Sequence, residues 1–370
     1  MLDVAASIST TTDTHCAYYA LQCGMTLSHD GAEWAVAARD FPTNKGGLCK
    51  KGWTAASLLT SPERLTTAMI RDPKGGQLRP ASFEEALDRV ALDIGRIQAT
   101  HGRDAVGVFG GGGLTNEKAY LLGKFARVAL GTANIDHNSR FCMGSGANGN
   151  LRAFGLDRGR PFPLADSPGA EAGVADHAGI SFDRIEAEGG VFWPCPTTEH
   201  AGTPRLFRET FATLDRRANL HPVRFRGAAE QPDGEFPYIL TTGRVLAHYQ
   251  TGAQTRRVPA LCAAEPDPFV EIHPDTACGL RIADGDTVRL TTRRGVAFVR
   301  ARLSRDIRMD VLFAPFHWGG RATINWLTNP ALDPISKIPE FKACAVRAER
   351  VEPADARSTA ALQTERAEVA

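Results

Sequence analysis

Asp284-Gly285-Asp286-Thr287-Val288-Arg289-Leu290-Thr291-Thr292-Arg293-Arg294-Gly295-Val296-Ala297-Phe298-Val299-Arg300-Ala301-Arg302-Leu303 decides the fold of the C-terminal third. Asp284-Gly285-Asp286 turns into a strand over Thr287–Thr292, and Arg293-Arg294-Gly295 turns into a second over Val296–Leu303. Upstream, Tyr238-Ile239-Leu240 reads as a strand ending at Thr241-Thr242-Gly243; downstream, Val311–Phe316 reads as another. Several strands at short spacing predict a compact β-barrel over residues 236–350, with a peripheral tail at 351–370.

Farther upstream the pattern changes. Residues 189–235 carry Pro and Gly punctuation with few regular elements, and Pro161, Pro163 and Pro168 mark a boundary. Ser82 and Glu85 form a capping box for a helix whose apolar face is Leu87, Val90, Ile94 and Ile97, stopped by Gly102. A strand at Ala105–Phe109 runs into Gly110-Gly111-Gly112-Gly113. Thr115 then caps a second helix with Ala119, Leu122, Phe125, Ala126 and Ala129 facing inward. Helix, strand, glycine loop and helix form an α/β pattern. Residues 1–13 are small, polar and expected to be loose, whereas 14–62 are rich in Gly and Cys with little helical period.

A chain of 370 residues fits two or three domains at ~150 residues each. Lys plus Arg is 43 against 42 for Asp plus Glu, so the net charge of +1 argues against a nucleic-acid binder. No apolar run approaches the ~18 residues that cross a bilayer. Met1-Leu2-Asp3 has neither a basic start nor an apolar core, so no export signal is visible and a cytoplasmic location is expected. The eight cysteines are too sparse for a disulfide scaffold, and clustered thiols in a reducing compartment read first as metal ligands.

The sharpest local signal is His15-Cys16-Ala17-Tyr18-Tyr19-Ala20-Leu21-Gln22-Cys23-Gly24-Met25, followed by Gly47-Leu48-Cys49-Lys50-Lys51-Gly52. Thiolates suit iron–sulfur clusters or zinc. Three cysteines without a Cys-x-x-Cys knuckle leave metal binding and unrelated buried thiols both open. Asn138-Ser139-Arg140-Phe141-Cys142-Met143 places a single Cys just beyond the α/β unit, where a small buried hydrophobe is the plain reading. The tetraglycine before a helix start suits a phosphate or simply a tight turn. Thr241 to Gly252, with Gly243, Arg244, His248 and Thr251, then Thr255, His317, Asn325, Asn329 and Lys342, set hydroxyls, Gly, Arg and His at strand ends. Such groups suit a ligand with a pyrophosphate and hydrogen-bonding rings.

These segments together resemble the bacterial molybdopterin oxidoreductases that carry a bis-guanine-dinucleotide cofactor, nearest to assimilatory nitrate reductase catalytic subunits. The likeness covers residues 13 to about 170 and about 173 to 350. It implies a mixed α/β chain: an iron–sulfur domain at 14–62, a truncated molybdopterin α/β domain at 63–170, a junction at 171–235 and a double-psi barrel gripping the dinucleotide at 236–350. In the family a [4Fe–4S] cluster takes four thiolates in the order Cys-x2-Cys-x3-Cys plus a later Cys. Cys16, Cys23 and Cys49 fall on the first, third and fourth positions, and Tyr19 occupies the second. The departure leaves a three-iron cluster, a labile cluster with an outside ligand, or none.

The resemblance further implies that Lys51 lies between cluster and pterin, that Cys142 is the thiolate ligand of molybdenum, and that Arg140 helps hold an anion. It lends Gly112 and the C-terminal set named above, from Thr241 to Lys342, to pterin binding. Met143 stands where formate dehydrogenases place a His, which favours oxo transfer from nitrate. Pro161-Phe162-Pro163-Leu164-Ala165-Asp166 leads in the family into a long central portion, and Ala178-Gly179-Ile180-Ser181 follows it, so most of the central domains are missing.

The expected activity is nitrate reduction to nitrite. Electrons would come from a donor protein or reductase subunit (ferredoxin, flavodoxin or NADH-linked), with no nucleic-acid or membrane partner. The alternatives are a silent remnant that binds cofactor or partner, a formate dehydrogenase-like enzyme, and a zinc-stabilised protein using the three cysteines with His15 or His29.

Overall fold

The computed structural model describes residues 10–19, 21–72, 75–157 and 177–351. They form two compact units: one joins the residues up to Glu63 with those from Val223 on, and the other runs from Arg64 to Pro222.

In the first unit, β1 (Thr10–His15), β2 (Gly24–His29) and β3 (Trp34–Ala38) make an antiparallel sheet in that order. Residues 10–13 were expected to be loose and are instead a strand, paired from Thr10 against His29 to His15 against Gly24. Threonine is β-branched and suits a pleated surface, and Thr26 Oγ1 donates to Asp13 across the pair at 2.7 Å. A single helical turn, α1 (Lys50–Trp53), follows Cys49.

The second unit opens with the short pair β4 (Ala68–Ile70) and β5 (Arg79–Ala81), then α2 (Phe83–His101). Half of the capping box forms: Ser82 accepts from the Glu85 N–H at 3.0 Å, while the Glu85 carboxylate pairs with Arg79 at 2.7 Å, and Gly102 ends the helix at φ 86°. The next strand, β6 (Val108–Gly110), starts later than the sequence suggested, because residues 103–105 coil into a 3-10 turn. Thr115 caps α3 (Asn116–Lys124); β7 (Ile135–His137) then lies parallel to β6, and α4 (Ser139–Phe154) follows it.

A two-turn helix, α5 (Phe182–Glu188), follows Ser181. The boundary read at Pro161, Pro163 and Pro168 lies outside the described residues, as does the tail beyond Val351. The helices here bury less than their patterns predict. No residue of α2 is buried, and Leu87 and Val90 are each 55% exposed. Ala126 is buried, but Phe125 and Ala129 are exposed. The apolar stripes are present, and nothing among the described residues of this unit covers them.

Returning to the first unit, β8 (Tyr238–Gly243), α6 (Pro259–Ala264), β9 (Phe269–Ile272), α7 (Pro274–Gly279), β10 (Thr287–Thr291), β11 (Val296–Leu303), β12 (Val311–Pro315) and β13 (Cys344–Arg350) complete the chain. Six strands close a barrel in the order β10-β11-β9-β12-β8-β13. The hairpin pairs Thr287 with Arg300 through Thr291 with Val296, so Val288, Leu290, Ala297, Val299 and Ala301 all turn inward. β8 and β12 run parallel, as do β9 and β11. Alternation buries one face of each strand, and Leu240, Val270, Ile272 and Leu312 join the same core.

The sequence reading missed β9 and β13. The first is four residues flanked by prolines, and the second interleaves Arg347 and Glu349 with the inward Val346 and Ala348. Among the described residues no helix is long and apolar enough to cross a membrane.

Candidate functional site

The loop between β1 and β2 holds Cys16 and Cys23, closed by the Cys16 N–H donating to the Cys23 carbonyl at 2.9 Å. Cys49 stands at the N-terminus of α1. Gly24 is required beside this loop, since a Cβ there would meet Phe41 Cβ at 2.7 Å. Burial pushes the Cys16 thiol up, the Tyr18 backbone lowers it, and the Cys49 and Cys23 thiols raise it again against the pull of Lys51. The three thiols and this ammonium therefore share one electrostatic neighbourhood.

Lys51 is 5% exposed; its ammonium donates to the Leu246 carbonyl at 2.6 Å and sits 5.4 Å over the Tyr19 ring. No carboxylate pairs with it among the described residues. Tyr19 packs edge-on against Tyr249 at 4.8 Å. Tyr18 is 1% exposed, and its hydroxyl is buried without a hydrogen-bond partner. Tyr18 and Tyr249 were not singled out from the sequence. Two tyrosines beside a cysteine carry no local signal that says which is buried.

An iron–sulfur group can be tested against these residues. Among the described residues no three His, Cys, Asp or Glu converge to hold a single metal ion. The zinc reading therefore has no site, and His29 Nδ1 accepts from the Gly31 N–H instead. A cluster takes each thiolate at a separate iron, and a buried ammonium with an orphaned hydroxyl suits an anionic, sulfur-rich occupant. The residues fit a cluster held by three thiolates, not one held by four.

The loops after β8 and β12 carry the second set. His317 Nε2 accepts from the Val245 N–H at 2.9 Å and Nδ1 faces the Gln250 carbonyl, so the ring is neutral with its proton on Nδ1. His248 Nε2 donates to the Glu265 carbonyl at 2.8 Å, and Nδ1 meets the Thr255 hydroxyl at 3.1 Å. Burial lowers both histidines below their ordinary value. His248, His317 and Thr255 are buried with their polar atoms engaged inside the loops, so they hold loop shape. Gly252 adopts φ 73°, and a Cβ there would meet the His317 carbonyl at 2.6 Å.

Other groups here are left over. Asn329 Nδ2 is buried without a partner, while its Oδ1 accepts from the Ala331 N–H at 3.0 Å. The Lys342 ammonium donates to the Thr242 carbonyl at 2.7 Å; burial first, then Arg244, pushes it below its usual value. Arg244, Thr251 and Asn325 are exposed, Thr241 is half-buried on β8, and Gly243 ends that strand. Two neighbouring cations and an orphaned amide donor fit an anionic dinucleotide.

In the other unit, Gly112 and Cys142 follow the ends of the parallel strands β6 and β7, paired at Gly110 and His137. A Cβ at Gly112 would lie 3.5 Å from Asn138 Oδ1, itself buried without a partner. Cys142 is an exposed thiol in the first turn of α4. Arg140 pairs with Asp136 at 2.9 Å, which holds that carboxyl below its usual range. Crevices beyond the carboxyl ends of parallel strands are where α/β folds place ligands.

Three family models match the chain: "Molybdopterin oxidoreductase Fe4S4 domain" at 9–61, "Molybdopterin oxidoreductase" at 64–159 and "Molydopterin dinucleotide binding domain" at 238–345. The chain is 46% identical over 180 residues to the assimilatory nitrate reductase catalytic subunit of Bacillus subtilis, covering 48% of this chain and 25% of that protein. It is 45% identical to a formate dehydrogenase alpha subunit of Methanocaldococcus jannaschii, covering 47% and 26%. It is 35% identical to the periplasmic nitrate reductase of Desulfovibrio desulfuricans, covering 46% and 25%. The aligned part thus spans about a quarter of each of these relatives. Three successive family models, in order and over residues whose geometry suits their groups, make this chain a member of the molybdopterin oxidoreductase family.

Proposed function

We propose that this chain serves molybdenum-dependent reduction of nitrate to nitrite, of the assimilatory type, in the cytoplasm. The observation that carries the reading is Met143 directly after Cys142 in the first turn of α4. A thioether holds no transferable proton, so the position next to the proposed metal thiolate lacks the acid–base group that removing hydrogen from formate would use. The similarities alone do not choose, at 46% to a nitrate reductase and 45% to a formate dehydrogenase.

The chain's own residues have distinct tasks in this reading. The Cys142 thiol is exposed and available to ligate molybdenum. Arg244 and Lys342 would neutralise the dinucleotide pyrophosphate, Asn329 would donate its spare N–H to a ring acceptor, and the exposed Thr251 and Asn325 would add further polar contacts. His248, His317 and Thr255 keep that loop pair in shape through their engaged edges. Gly112 lets backbone approach the cofactor closely. Lys51, held by Leu246, sets a positive charge between the cysteine loop and the loop after β8 and favours electron arrival. Arg140, anchored by Asp136, presents cationic charge to nitrate. When bound, the molybdenum–pterin group supplies abstraction of one oxygen from nitrate with two electrons and two protons, giving nitrite and water. The electrons come from a donor protein or reductase subunit.

The test is nitrite formation from nitrate with a reduced viologen by protein purified with molybdenum, with Cys142→Ser as the control that abolishes it. Formate-dependent viologen reduction instead would overturn the reading. A second reading, cofactor retention without turnover, is favoured by the quarter-length span and by the uncovered helices of the 64–157 region. It predicts guanine dinucleotide in the purified protein and no nitrate-dependent reoxidation.

A further inference from the structure

We propose that the N-terminal site assembles a three-iron cluster held by the thiolates of Cys16, Cys23 and Cys49, with Tyr19 outside the ligand set and the Tyr18 hydroxyl donating a hydrogen bond to cluster sulfur. The matched Fe4S4 segment, residues 9–61, contains only these three cysteines. A four-iron cluster takes one thiolate per iron, so one corner has no protein sulfur.

Tyr19 does not fill that corner. Its ring is fixed edge-on to Tyr249 at 4.8 Å and lies beneath the Lys51 ammonium at 5.4 Å. A phenol is also a hard donor beside soft sulfur ligands. Two groups suit an anionic occupant. Lys51, 5% exposed, has a carbonyl but no carboxylate for its charge, and the Tyr18 hydroxyl, in a side chain 1% exposed, has no acceptor. Both lie within electrostatic reach of Cys16. Buried groups left unpaired in this way cost stability unless an occupant satisfies them.

Assembly replaces three S–H bonds by three Fe–S bonds and releases three protons to solvent, with iron and sulfide supplied from outside the chain. Three ferrous ions reach the ferric state by passing three electrons to a mild one-electron oxidant such as ferricyanide.

The full-length chain is reconstituted anaerobically with ferrous iron and sulfide, and iron, sulfide and the electron paramagnetic resonance spectrum after ferricyanide are measured. The wild type is expected to hold about three irons, with a paramagnetic oxidised cluster, as an odd-electron set of ferric ions requires. Tyr19→Phe keeps both properties. Tyr19→Cys rises to about four irons and loses the signal, because an even-electron four-iron cluster is diamagnetic in its resting state. Tyr18→Phe keeps the iron and lowers the reduction potential, since a hydrogen bond to sulfur stabilises the more reduced state.

Four irons in the wild type, iron lost in Tyr19→Phe, or no iron in the wild type would each overturn the proposal. An unchanged potential in Tyr18→Phe would remove the hydroxyl from it. Iron content does not depend on nitrate, so this test and the nitrite assay can fail separately.

Discussion

The barrel and the helices of 64–157 treat their apolar side chains in opposite ways. In the barrel, Leu240, Leu290 and Leu312 are fully buried, because strands from both ends of the sequence segment close on one another. In the helical region, Leu92 of α2 is 71% exposed and Leu121 of α3 is 56% exposed, although Ser82 and Thr115 cap these helices. Local signals are enough to make a helix with a stripe; burial needs a second surface, and only the barrel contains its own. A region that forms its elements without covering them keeps secondary structure and gains little hydrophobic stabilisation.

Substitutions can break this comparison, and the largest effect belongs to the barrel. Leu312→Ala should cost about 2–5 kcal/mol, read from urea unfolding of the full chain, because it opens a cavity in a closed core. Leu92→Ala should stay within about 0.5 kcal/mol in the same titration. A matching loss at Leu92 would show its helix face to be covered in solution.

Acid should sharpen the contrast next. Burial lowers His248 and His317, so the unfolded chain binds protons that the folded barrel resists. Barrel stability is therefore complete above the unfolded histidine value of about 6.5 and falls as pH drops below it. Thermal midpoints between pH 8 and pH 5 would follow this, and His317→Gln should flatten the profile. The smaller effect lies in the helical region. Ser82→Ala removes the cap on the Glu85 N–H and should cost α2 about 1 kcal/mol, measured as faster amide exchange in its first turn.

The fold was legible where it is local. The hairpin Thr287–Leu303 follows from its two turns, and the caps Ser82 and Thr115 follow from three-residue spacing. β1 was missed because its polar threonines gain their place only by pairing with β2, and β13 because Arg347 and Glu349 interrupt its inward Val346 and Ala348. The site was legible in its cysteines and glycines, whose chemistry and backbone freedom are visible residue by residue. It was less so in its histidines, whose ring nitrogens meet the Val245 N–H and the Glu265 carbonyl, partners that no local spacing reveals.

The amino-acid order alone established three thiols in the first fifty residues, with Tyr19 between Cys16 and Cys23, and strand pairs set by tight turns. Those are matters of composition and of neighbours a few residues apart. Folding decided which polar groups are consumed and which are left for an occupant. Lys51 meets the Leu246 carbonyl 195 positions away, Tyr18 is left with an unanswered hydroxyl, and Asn329 keeps a spare donor. Such outcomes depend on where distant backbone oxygens come to rest, and no spacing in the chain encodes that.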